Sequence, residues 1–113
     1  MADLVDLVDV HLTRAQASDE GRSSELVARD GVLRQTIVAL RAGTRLGAHN
    51  SPPAASIQVL EGRVRIELEG SVQGEFCRGE LWVLTHQRHS VLALEDSVFL
   101  LTTVTSVGEG SHG

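Results

Sequence analysis

The chain has 113 residues, a formal net charge of −5 and 42% hydrophobic residues, which suits one domain burying roughly two-thirds of its unfolded surface. All ten of its cationic side chains are arginine, and tyrosine is absent. That excludes Schiff-base chemistry, a phosphate-binding Walker lysine, and a lysine or phenolic acid–base. The arginines are scattered among acids, and Trp82, Phe76 and Phe99 are the only aromatics. There is thus neither a basic stripe nor a stacking platform, and nucleic acid is not an expected partner. One cysteine, Cys77, allows no internal disulfide, in keeping with a reducing cytoplasm. No stretch approaches the roughly 18 apolar residues of a membrane helix, and the aspartate-rich start MADLVDLVDVHL does not read as a signal peptide. The expectation is a cytoplasmic protein with no membrane partner.

Taken in chain order, Leu4, Leu7, Val8 and Leu12 recur at helical spacing, with Asp3 as N-cap, so a short helix is predicted over about 3–17. A polar loop follows over 18–24. Glu25–Arg29 and Val32–Leu40 read as a hairpin joined by Asp30-Gly31 in a type I′ turn. Arg41-Ala42-Gly43-Thr44 is a second turn, and a short strand running to His49 is interrupted by Pro52-Pro53. Ser56–Leu60 and Arg63–Glu69 read as another hairpin around Glu61-Gly62, with Val64, Ile66 and Leu68 on one face and Arg63, Arg65 and Glu67 in water. Strands are also predicted at 72–77, 81–84, 89–94 and 98–105. Many short strands with regular turns predict an all-β sandwich or barrel. The last two strands are apolar on both faces, so the N-terminal helix, a second subunit or both must cover the outside. The predicted organisation is a helix and lead-in over 1–20, a barrel over 24–106 and a flexible tail over 107–113.

The run GTRLGAHNSPPAASIQVLEGRVRI resembles the first motif of the cupins, with Gly43, five residues, His49, and a closing Gly62 in the Val59–Gly62 turn. Gly79-Glu80, Leu81-Trp82-Val83 and then His89 resemble the second motif, with Leu84 where proline is usual. The resemblance covers about Leu33 to Thr105. It implies a cupin-like double-stranded β-helix barrel of the RmlC-like superfamily, two antiparallel sheets of jelly-roll type behind a short helix. Metal-binding cupins take three histidines and a glutamate from these motifs. Here the first and last positions are His49 and His89, but the second histidine is replaced by Ser51 and the glutamate by Ala55. The metal motif is therefore degenerate.

One barrel hosts many activities, so function has to come from the site. His49, Ser51, Gln58 and His89 are the candidate pocket residues, above an apolar lining of Ile57, Val59, Val64, Ile66 and Val91. A residual site for Fe, Mn, Ni or Zn would use His49 and His89, with His86 as a weak third donor, although strand alternation turns His86 to the other face. Two imidazoles without a carboxylate rarely hold such a metal, and the reading prefers hydrogen-bonded pocket histidines with no metal. Gln58 is out of phase with Ala55, Ile57 and Val59, and a role at a strand edge or interface competes with ligand contact. Trp82 is assigned to packing in the core or at an interface. Cys77 beside Arg78 reads as a structural thiol, with a lowered-pKa nucleophile as the alternative, and His11 has no assigned role. The functional expectation is a homodimer that binds a small molecule in the barrel pocket, the two imidazoles suggesting a small carboxylate or other compact anion. The alternatives are a metal-dependent dioxygenase or isomerase, and a structural dimer with a vestigial pocket.

Overall fold

In the computed structural model, which describes residues 1–47, 54–84 and 88–105, the chain runs α1 (Leu4–Ala17), β1 (Arg22–Asp30), β2 (Leu33–Leu40), β3 (Arg45–Leu46), β4 (Ala54–Glu61), β5 (Arg63–Leu68), β6 (Ser71–Cys77), β7 (Leu81–Leu84), β8 (Ser90–Ala93) and β9 (Ser97–Val104). Two antiparallel sheets form, in the orders β1-β2-β9-β4-β7 and β3-β8-β5-β6. The inner faces of both sheets meet in one apolar core. Val38 and Leu40 (β2), Ile57 and Val59 (β4), Val64 and Ile66 (β5), Val91 and Ala93 (β8) and Phe99 (β9) are at most 5% exposed there.

Alternation makes the outer faces different from one another. On β5, Arg63, Arg65 and Glu67 stand outward, with Arg65 bonded to Glu75 of β6 and Arg45 to Glu67. That sheet faces water. On the five-stranded sheet, Ile37, Ala39 and Val98 point outward yet are fully buried, because Ala15, Leu7, Val8 and Leu12 of α1 pack over them. The helix therefore supplies the cover that the doubly apolar β9 requires.

The helix is held at both ends. Asp3 caps its start, accepting from the Val5 and Asp6 amides at 3.0 and 3.3 Å, which satisfies two donors without intrahelical partners. At the other end Gln16 donates to Asp96 at 2.9 Å, and Arg41 donates to the carbonyls of Gln16 and Ser18.

Two turns differ from their sequence reading. In the β1–β2 hairpin Asp30 pairs with Leu33, so the loop residues are Gly31 and Val32. Gly31 has φ +54° and Val32 does not take positive φ, the pattern of a type II′ turn with glycine first. Glu61-Gly62 closes no hairpin, because β4 pairs with β7 and β9 while β5 pairs with β6 and β8. The chain instead crosses between sheets there. A bulge at Leu60 on the β4–β9 ladder turns that side chain onto α1, and Gly62 at φ +82° makes the corner. The hairpin belongs to β5–β6, whose Glu69 and Gly70 both take positive φ, as a type I′ turn needs. β1 also starts at Arg22, inside the expected loop.

Candidate functional site at one end of the barrel

The two ends of the barrel are built differently. At one end the crossover after β4 is locked from inside. Ser97, fully buried, accepts the Arg63 amide at 3.0 Å and has the Arg63 and Glu95 carbonyls at 3.0 and 2.7 Å for its own hydrogen. Asp96 accepts the Ala42 amide at 2.8 Å beside its bond to Gln16. This end is closed by backbone, one serine and one aspartate.

The other end carries the motif residues. His89 is half-buried just before β8, in phase with the inward-facing Val91 and Ala93. Ala55 of β4 pairs with Leu84 and with Thr103, two residues from the buried Ile57 and on the same face. The position where metal-binding cupins place a glutamate thus presents a methyl group to the barrel. His49, Ser51 and His86 lie outside the described residues. Among the described residues, no three His, Cys, Asp or Glu side chains converge as metal donors. Of the motif positions, the described residues supply one imidazole, His89, and one methyl group, Ala55.

Gln58 does not join His89. Its neighbours Ile57 and Val59 are 1% exposed inside the barrel, whereas Gln58 points out from the five-stranded sheet and is exposed. There it borders a groove of about 370 Å³ with Val5, Val8, Asp9 and Arg78. The alternation of β4 forces this, since adjacent side chains go to opposite faces. The apolar residues expected to line a pocket do come together, but as a closed core. They form the floor beneath the rim.

Trp82 belongs to that floor. It pairs with Ile57 across the β4–β7 ladder and packs with Phe76, ring centroids 5.0 Å apart and planes tilted by 34°. Its Nε1 is shut off from solvent and meets no hydrogen-bond partner among the described residues. The sequence gives the inward phase of Trp82, but an unpaired donor is visible only in three dimensions.

Two further clusters have other roles. His11 is fully buried under α1, with Nε2 at 2.8 Å from Glu25 Oε1 and Nδ1 at 2.7 Å from Ser23 Oγ. The carboxylate can only accept, so Nε2 carries the hydrogen that reaches it. The serine–imidazole–carboxylate order is that of an acyl-transfer triad, but the imidazole is sealed beneath the helix and cannot meet a substrate. It fastens α1 to β1. The Cys77 thiol donates to Glu80 Oε1 at 3.2 Å, and that same oxygen accepts the Cys77 amide at 2.7 Å. Holding its hydrogen on Glu80 pushes the thiol pKa up, with desolvation adding to it and Arg63 opposing. Arg78 turns instead toward Glu61, at 3.9 Å. A lowered-pKa nucleophile at Cys77 is thereby overturned, because its partner is an anion.

No protein-family model matches the chain, and no curated protein matches it. Solved structures do. An RmlC-like cupin from Desulfovibrio desulfuricans is 28% identical, with TM-score 0.66, over 74% of this chain and 81% of that one. A conserved protein of unknown function from Streptococcus pyogenes is 23% identical, with TM-score 0.69, over 79% and 78%. A salicylate 1,2-dioxygenase from Pseudoaminobacter salicylatoxidans reaches TM-score 0.73 at 19% identity, over 88% of this chain but only 33% of its own length. At that identity the likeness is one of fold. Two antiparallel sheets, a crossover at Gly62 and neighbours of similar size give this chain the fold of the small RmlC-like cupins.

Proposed function

We propose that the protein binds a small, largely apolar organic molecule at the rim of the barrel that carries His89, without resident metal. The observation that carries this reading is the asymmetry of the barrel. One end is clamped by Ser97 and Asp96, while the other sets a half-buried imidazole above an apolar floor. A mostly apolar surface with a few converging polar groups is the usual composition of a ligand site. The motif resemblance adds His49 and Ser51 as candidate ligand contacts, both outside the described residues. The metal-enzyme reading loses support at Ala55, where no carboxylate can reach a cation.

The test is calorimetry and thermal shift with a panel of small acids, alcohols and ketones, on the wild type and His89→Ala. Saturable stabilisation by at least one class, weakened in the variant, is the expected result. Silence across the whole panel would sink the proposal. Elemental analysis after incubation with Fe(II), Mn(II), Ni(II) or Zn(II) and desalting covers the alternative. About one metal retained per chain and lost in His89→Ala would replace a binding protein with a metal-dependent one.

The same reading makes the protein a homodimer in the cytoplasm. β7 is an edge strand whose four residues include no charge, and its outward Leu81 and Val83 are 61% and 69% exposed. The other edge of that sheet, β1, carries Arg22, Glu25, Arg29 and Asp30. Charges blunt an edge against pairing, and β7 lacks them. Light scattering at micromolar concentration should give twice the chain mass, and Val83→Glu should give the monomer. A monomeric wild type would refute the dimer and leave the ligand site untouched.

A further inference from the structure

We infer that two copies of the chain dock through the outer face of the five-stranded sheet, each setting Val83 into a trough along β4 of the other. This rests on the homodimer proposed above and names its contact surface.

Alternation and register lay the outward residues of β2, β9, β4 and β7 out in rows. One row reads Gln35, Thr102, Ser56, Val83. The next row toward α1 reads Ile37, Leu100, Gln58, Leu81, and on the far side lie Leu33, Val104 and Ala54. Of these, α1 buries Ile37, while Leu81 and Val83 stay 61% and 69% exposed. No side chain in the three rows is charged, in a chain of net charge −5. The outward face of the other sheet instead carries Arg45, Arg63, Arg65, Glu67 and Glu75. Loss of charge is the compositional mark of an interface core. A twofold pair brings a face against itself, and like charges would oppose that. This face has none to oppose it, and a strongly charged partner would find no counter-charge here.

Shape narrows the occupant to a second copy. The small side chains of Ala54 and Ser56 leave a trough of about 300 Å³ along β4, with Thr102 and Val104 on one side and Val83 on the other. Val83 is the ridge beside that trough, and it lies directly opposite Ser56 in the β4–β7 ladder. A twofold axis running along the strands between β4 and β7 therefore sets each Val83 over the partner's Ser56 and fills both troughs at once. Stacked sheets lie about 10 Å apart, about the thickness of a helix. The partner's sheet thus continues the layer that α1 begins over Ile37, Ala39 and Val98. Pairing of the two β7 edges would instead leave Val83 at least about 10 Å, two strand spacings, from the partner's Ser56.

The difference between these arrangements is read by native mass spectrometry and light scattering on two variants. Ser56→Leu fills the trough against the partner's Val83 and should leave a monomer. Val83→Ala removes the ridge and should raise the dimer dissociation constant about a hundredfold, two methyl groups being lost at each of two contacts. Mixed together, the two variants should form a one-to-one heterodimer. The enlarged side chain of one then meets the shortened one of the other, and the reciprocal contact is wild type. Because Ser56 and Val83 also touch within one chain, it is this rescue by mixing that reports on contact between copies. A second measurement covers misfolding of Ser56→Leu. Ser56→Cys in a Cys77→Ser background should cross-link to its own copy with a short bismaleimide, and Arg65→Cys on the other sheet should not. A wild-type monomer takes down the dimer and this contact together. A dimer that Ser56→Leu leaves intact, or that cross-links through Arg65→Cys and not Ser56→Cys, keeps the dimer and overturns this face as its contact. A monomeric Ser56→Leu that mixing does not rescue, with no cross-link through Ser56→Cys, overturns it as well.

Discussion

Gly62 shows how much one residue can decide. It combines φ +82° with a site where an added methyl would overlap the Asp96 carbonyl and the Ser97 hydroxyl. Gly62→Ala should therefore cost about 3 kcal/mol, from left-handed strain and overlap together. Urea denaturation measures it. A loss within ~0.5 kcal/mol, the range of ordinary surface changes, would mean that the corner adapts. Cys77 makes a chemical prediction of the same kind. Because Glu80 holds its hydrogen and raises its pKa, the thiol should react slowly with iodoacetamide near neutral pH. Glu80→Gln, which removes the anion, should shift the rate profile to lower pH. An unchanged profile would dissociate the thiol from Glu80. The Glu80 carboxyl is in turn held below its ordinary value, chiefly by the Cys77 amide, so each partner stabilises the form the other needs.

At the level of elements, α1 is attached by polar contacts at two points along its length. The first is His11 with Ser23 and Glu25. His11→Ala removes both bonds and leaves a hole under the helix, at a cost of about 2 kcal/mol. Amide exchange should then speed up in α1 before it does in β2 or β9, as expected of a unit that opens locally. Equal acceleration everywhere would mean that helix and barrel open only together. The second attachment is Asp96, whose carboxyl is held below its ordinary value of 3.8 by the Ala42 amide first and the Gln16 side chain second. A pKa depressed in the folded state gives stability that is complete above the unfolded value and lost as pH falls through the folded one. Acid unfolding should thus steepen below about pH 4, and Asp96→Asn should be less stable at neutral pH with a flatter acid limb. A variant with the wild-type limb would remove Asp96 from the linkage.

For the molecule as a whole, the fold was largely legible and the site much less so. Arg63–Leu68 gave its inward and outward residues by alternation alone, and Asp3 with Leu7, Val8 and Leu12 gave the helix. The Glu61-Gly62 turn misled because a hairpin and a crossover between sheets use the same residues. What separates them is the partner of β4, which lies some 40 residues away in β9. His11 sits in the apolar stripe, four after Leu7 and three after Val8, so its burial could have been inferred, but not its partners on β1. Gln58 is out of phase with the core by alternation alone, and the structure puts it outside. The unpaired Trp82 N–H had no signal in the sequence, because absence of a partner is a property of the assembled interior.

The place of β9 has a consequence in time. It is the last of the described strands in sequence order, yet it lies between β2 and β4 at the centre of the five-stranded sheet. A ribosome that has not yet released Ser97–Val104 holds two half-sheets with exposed inner edges, and α1, made before the strands, has only part of its docking surface. Local hairpins such as β1–β2 can form within microseconds, but neither sheet nor helix can be completed until the chain closes contacts such as Gln16 with Asp96, 80 residues apart. Folding of this topology is therefore governed by long-range closure and is slow for the chain's size. The nascent chain depends on its final strand arriving before its open edges find another partner.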